Sequence, residues 1–99
     1  MPTSKTERWL DLIAFLLNHH YAVAREEILT HVADYRADWE SGDARRREAA
    51  RRKFERDKAE LRELGVILDM QPVAVPHADQ EVDGYVLRPK DFYLPYLEV

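Results

Sequence analysis

Three helical segments, the last of them long and rich in arginine, are followed by two short strands. That element order predicts an α+β fold of the winged helix-turn-helix class, three helices and a two-stranded β-hairpin wing. Two stretches carry most of the prediction. Residues 44–65, ARRREAARRKFERDKAELRELG, contain no proline or β-branched residue and are dominated by Ala, Arg, Lys, Glu and Leu, the strongest helix formers. The segments VILDM (66–70) and DGYVLR (83–88) have strand character and flank a turn-rich stretch with two prolines.

The first helix is expected over residues 6–20. Trp9, Leu10, Ile13, Phe15, Leu16 and Leu17 give it a broad apolar face, Ser4 or Thr6 is its candidate cap, and Glu7 lies in the first turn. His19 and His20 suit its C-terminal end, where a cation complements the helix dipole. A short link at residues 21–23 leads to a second helix from residue 24 or 25 to residue 33, with Ile28, Leu29 and Val32 turned inward. Residues 34–43, DYRADWESGD, form a polar, turn-like stretch with Tyr35 and Trp39 tucked beneath it. The long helix follows, with Asp43 as its N-cap and Gly65 just past its end. The 66–70 strand then pairs with 83–88, Tyr85 and Leu87 sharing a face, across a long loop at 71–82.

On a helical wheel at about 100° per residue, Ala50, Phe54, Asp57, Leu61 and Leu64 share one side of the long helix. Arg45, Arg52, Arg56, Ala59 and Glu63 fall on the other. One side can pack on a core while the other presents guanidinium groups, the chemistry that meets phosphates and guanine edges in a DNA major groove. Asp57, on the packed side, reads as a structural carboxylate paired with a neighbouring cation or a backbone N–H. Charge supports the division. Residues 45–53 hold six basic side chains against one acid, whereas residues 66–99 hold two against six. The net charge of −4 argues against a binder that uses its whole surface, but not against one basic helix. The loop at 71–82 has no Lys or Arg and is a poor phosphate clamp.

Composition excludes several other classes. Without cysteine there is no thiol catalysis, disulfide framework or Cys-based zinc finger. The most apolar stretch, around residues 9–17, is broken by Asp11 and is too short to span a membrane, and MPTSKTER lacks a signal peptide's layout. A cytoplasmic, nucleoid-associated protein is expected. Asp79, Glu81, Asp83 and Gly84 imitate the start of a calcium loop, but Lys90 stands where the bidentate Glu is needed. The four histidines show no ligand spacing, and no acid, base and nucleophile set is evident. No enzyme, cofactor, metal or small-molecule site is expected.

RRKFERDKAELRELGVIL (51–68) resembles the recognition helix and wing of the WYL-domain transcriptional regulators, nearest the actinobacterial type similar to the proteasome accessory factor regulators. Their F-x-R-D-K-x-x-L-R-x-x-G pattern stands here as Phe54, Arg56, Asp57, Lys58, Leu61, Arg62 and Gly65. SKTERWLDLIAFLL resembles their opening helix, and DGYVLRPKDFYLP their wing exit. The resemblance implies duplex DNA as the partner, with Arg51, Arg52, Lys53 and Arg56 as contacts beside Arg45 from the wheel. Where related regulators often begin this helix with a small polar residue, the chain has Ala50. The resemblance further implies a homodimer. It implies a DNA-binding domain over residues 1–90, with 91–99 as an apolar linker toward a sensor domain not included in these 99 residues. The other reading of the same residues is a protein-interaction module on a winged-helix scaffold, favoured by the acidic balance and the apolar tail.

Overall fold

In a computed structural model that describes residues 4–88, the chain runs as four helices and a three-stranded antiparallel sheet. The elements are α1 (Lys5–Leu17), β1 (Val23–Ala24), α2 (Arg25–His31), α3 (Ala33–Trp39), α4 (Ala44–Glu63), β2 (Asp69–Val73) and β3 (Val82–Val86). The expected tail at 91–99, with Phe92, Tyr93 and Tyr96, lies outside the described residues, as does Lys90.

α1 begins where its cap predicts, with Ser4 Oγ accepting from the Glu7 amide at 3.1 Å. It stops at Leu17, so His19 and His20 fall beyond the helix rather than at its end. His19 folds back instead, its Nδ1 lying 2.8 Å from the Phe15 carbonyl and its ring 4.6 Å from that of Phe15.

The second helix is also shorter than expected and is followed by one that sequence patterning missed. Val32 leaves α2 in extended conformation (φ −83°, ψ 115°), and its carbonyl accepts from Tyr35 and Arg36 to start α3. Residues 34–39 of the stretch expected as a turn are therefore helical, and only 40–43, around Gly42, remain the turn. Its two ring-bearing residues explain why: Tyr35 is fully buried and Trp39 packs at the edge of the core. Val32, Tyr35 and Trp39 have helical spacing, but the charged residues between them conceal it. α3 also has no side-chain cap to announce it.

α4 is one continuous helix from Ala44, without a separate entry turn. Asp43 Oδ1 accepts from the Arg45 amide at 2.9 Å. At the far end the Gly65 amide reaches the Arg62 carbonyl and the Val66 amide the Leu61 carbonyl, a Schellman closure. Gly65 adopts φ +91°, a conformation that disfavours any residue with a Cβ. Leu64 departs from the expected inner side and is 60% exposed. α1 starts level with Glu60, where Lys5 Nζ meets Oε2 at 2.7 Å, so nothing from α1 reaches far enough to cover Leu64.

The strand pairing is shifted from expectation. Val66 and Leu68 are buried in the core ahead of the sheet, and β2 pairs with β3 from Asp69↔Val86 to Val73↔Val82. The connecting loop is accordingly shorter, residues 74–81. The link at 21–23 supplies part of β1, which pairs with β3 through Val23↔Tyr85 and Ala24↔Gly84. The sheet order β1-β3-β2 puts β3 in the middle and leaves β2 at an edge, where Pro72 is tolerated. Gly84 is required there: a Cβ would come within 2.8 Å of Val73 Cγ1 and 3.1 Å of the Gln71 carbonyl. Tyr85 and Leu87 both enter the core, as their alternation predicts. Leu12, Leu16, Ile28, Leu29, Tyr35, Phe54 and Leu61 complete it between the helices.

Candidate nucleic-acid interface

The inner side of α4 is held by an unusual polar knot. Asp57 is fully buried and accepts four hydrogen bonds. Arg8 donates two, Nε to Oδ2 at 2.6 Å and Nη2 to Oδ1 at 2.7 Å, a bidentate fork. Trp9 Nε1 donates to Oδ1 at 3.2 Å and the Tyr35 hydroxyl to Oδ2 at 2.6 Å. One carboxylate thus ties α4 to both α1 and α3. Burial pushes its pKa upward, but the bonds from Arg8, Tyr35 and Trp9 outweigh burial and hold it below the usual carboxylate value. The Asp57 bond raises that of Arg8. Burial first, then the bond to Asp57, push the Tyr35 phenol far above its ordinary range.

A second set of contacts joins α4 to the sheet. Lys58 Nζ lies 2.8 Å from Glu55 Oε2, donates to the Tyr85 hydroxyl at 3.1 Å, and sits 4.4 Å from the centre of that ring. Burial works against its charge, yet Glu55 and Tyr85 together raise its pKa. Arg25 at the start of α2 approaches Glu55 at 3.9 Å. α4 cannot roll about its axis without breaking one of these two sets.

With the axis fixed, the cations from Arg45 to Arg56 separate into three groups. Those toward α3 are engaged. Arg46 donates to Asp38 Oδ1 at 2.9 Å and to the Ala37 carbonyl at 3.3 Å. The guanidiniums of Arg47 and Arg51 lie 4.4 and 5.1 Å from the centre of the Trp39 ring, and Arg51 also pairs with Glu48 at 3.0 Å. Arg45, Arg52 and Arg56 form the outer ridge; all three are exposed, and no ion pair or hydrogen bond among the described residues occupies their side chains. Lys53 is half-buried at the flank of that ridge, also without an ion pair among the described residues. Ala50 is fully buried beneath the helix and faces the core, not solvent.

Four of the five residues singled out from sequence therefore lie on or beside one ridge, while Arg51 is turned toward α3. Sequence patterning did not find Trp39 as the platform for two guanidiniums, nor Arg8 as the partner of Asp57. Only the F-x-R-D pattern, with an acid on the packed side of a helix, hinted that Asp57 has a partner. A row of unpaired guanidiniums on a rigid helix can neutralise phosphate oxygens and donate in pairs to guanine O6 and N7. The loop at 74–81 contributes Asp79 and Glu81 and no cation of the Lys or Arg type, and it lies against α2, where His77 Nε2 approaches Glu26 Oε2 at 3.0 Å. Among the described residues, no helix is long and apolar enough to cross a membrane.

Over all 99 residues the chain is 36% identical to Protein PafB of Mycobacterium leprae (strain TN). It is 35% identical, again throughout, to Protein PafB of Mycobacterium tuberculosis (strain ATCC 25618 / H37Rv) and of Mycobacterium bovis (strain ATCC BAA-935 / AF2122/97). The chain spans 27% of the length of each of these curated relatives. No family model matches the sequence, and no solved structure matches it.

Proposed function

We propose that this chain is the duplex-DNA reader of a transcriptional regulator, with α4 in the major groove. The observation that carries the reading is the outer ridge of Arg45, Arg52 and Arg56, exposed and without an ion pair among the described residues, on a helix whose opposite side is locked to the core. The arrangement of a bracing α2, a protruding α4 and a β2–β3 hairpin is compatible with a winged helix. The likeness to the PafB proteins, with the pattern shared with WYL-domain regulators, supports a regulatory role. In this reading residues 1–90 bind DNA and 91–99 lead toward a sensor domain. The protein acts in the cytoplasm on the nucleoid, and two copies bind two half-sites. α3 is an added brace, and the acidic hairpin loop contributes little to phosphate binding.

Fluorescence anisotropy with duplex DNA across a salt series tests the proposal. If Arg45, Arg52, Lys53 and Arg56 neutralise three or four phosphates, log K falls against log salt with a slope of about −3 to −4. Absence of binding at low salt sinks it. That outcome would favour the second reading, a protein-interaction module, which the exposed Leu10 and Leu17 on α1 and the net charge of −4 support.

A further inference from the structure

The outer face of α4 is bounded in a way that limits what it can read. Along it run Arg45, Ala49, Arg52 and Arg56, and one turn or two beyond stand Ala59 and Glu63. Glu60, adjacent to this row, is already paired with Lys5. The sign of the face thus changes after Arg56, and the helix cannot follow phosphates beyond that point. Arg45 and Arg56 are separated by about 16 Å along the axis, from a rise of 1.5 Å per residue. That distance corresponds to about five base-pair steps at 3.4 Å each.

A straight helix in a curved groove comes nearest the base edges at the middle of its contact and nearest the backbone at the ends. Ala49 and Arg52 straddle the middle; Arg45 and Arg56 are the ends. Ala49 leaves the centre of the ridge low, so the backbone of α4 can approach the groove floor. Its methyl group matches the thymine methyl, and the Arg52 fork matches guanine O6 and N7. We infer that Arg52 and Ala49 determine sequence specificity over a site of about five base pairs, while Arg45 and Arg56 bind phosphates without reading bases. The inference rests on the DNA-reading proposal and narrows it to particular residues.

Selection of bound sites from random duplexes, with the full 99-residue chain and its variants, tests it beside salt titrations. The unsubstituted chain is expected to select a guanine at or next to the centre of a five-base-pair core. Arg52→Ala removes the preference for that guanine, worth about tenfold or more. Ala49→Gln changes the preference at the neighbouring position. Arg45→Ala and Arg56→Ala keep the selected sequence and each reduce the salt slope by about one. These side chains make no internal ion pair among the described residues, so circular dichroism should be unchanged in all four variants. Retention of the guanine preference by Arg52→Ala, or its loss in Arg45→Ala or Arg56→Ala, overturns the assignment. Salt-sensitive binding with no common selected sequence overturns it too, while leaving the DNA-binding proposal standing. Failure of the unsubstituted chain to bind any duplex at low salt removes both.

Discussion

The two halves of α4 are built from similar residues and do opposite things with them. In residues 44–53 only Ala50 is buried to the core, and four of the cations, Arg45, Arg47, Arg52 and Lys53, have no ion-pair partner among the described residues, Arg47 lying over the Trp39 ring instead. In residues 54–63 Phe54, Asp57 and Leu61 are all buried, and three polar groups are tied to the rest of the fold, Asp57 to Arg8, Lys58 to Glu55 and Tyr85, and Glu60 to Lys5, with Arg56 the one member of the outer ridge in this half. One half is an anchor and the other is carried by it. Unpaired guanidiniums cost a helix little in water, but they recognise nothing reproducibly unless the helix is fixed in direction and roll. The knot at Asp57 fixes it.

The strongest way to break this comparison is to remove the anchor. Asp57→Ala leaves Arg8, Trp9 and Tyr35 without their common acceptor and is expected to destabilise the fold by about 3–5 kcal/mol in urea unfolding. Arg45→Ala, in the other half, should leave the urea midpoint nearly where it was. A cost for Asp57→Ala as small as that of Arg45→Ala would mean that the halves are not divided into anchor and reader.

Titration separates the same two halves more gently. Because Asp57 has a lowered folded-state pKa, the unfolded chain binds its proton more readily. The stability it supplies is complete above the usual carboxylate value of 3.8 and drains away as pH falls through the lower folded value. Tyr35 has the opposite sign: its contribution is complete below the ordinary phenol value of 10.0 and is lost as pH rises beyond it. Melting temperature against pH should therefore fall at both extremes. Asp57→Asn should flatten the acid limb and Tyr35→Phe the alkaline one, and substitution of none of the three arginines of the outer ridge should affect either limb.

The end of the anchor gives a smaller effect. Gly65→Ala places a Cβ at φ +91° and should cost about 1 kcal/mol, with the salt slope for DNA unchanged because the ridge from Arg45 to Arg56 is untouched. A changed slope would show that the closure at Gly65 also sets the pose of the arginines.

The parts of the fold legible in the sequence were those with one dominant local cause. α4 was announced by helix propensity, an Asp cap and a closing Gly, and its inner face by Phe54, Asp57 and Leu61 at helical spacing. α3 was not legible, because its formation depends on burying Tyr35 against Phe54 and Asp57, partners about twenty residues away. The strand register was missed because Val66 and Leu68 look like strand residues but are used as core. In the candidate site, the arginines were visible as charge, but their partition was not. Whether a guanidinium is engaged depends on Trp39 and Asp38, which belong to the helix that local patterning did not find.

That partition yields the smallest and most discriminating test. Arg51 and Arg52 are neighbours in sequence and about 100° apart on the helix. Arg51 is laid near Trp39 and paired with Glu48, its Nε buried without a hydrogen-bond partner among the described residues, whereas Arg52 points to solvent. Arg51→Ala gives up one cation–π contact and one half-exposed ion pair, a loss of about 0.5–1 kcal/mol of stability after solvent screening. It should change DNA affinity less than Arg52→Ala does, although the two substitutions remove the same charge. Were charge alone responsible for binding, the two variants would weaken it equally and flatten the salt slope equally. A difference between them, with Arg52→Ala the weaker binder and Arg51→Ala the less stable protein, is what a helix held in one orientation by Asp57 requires.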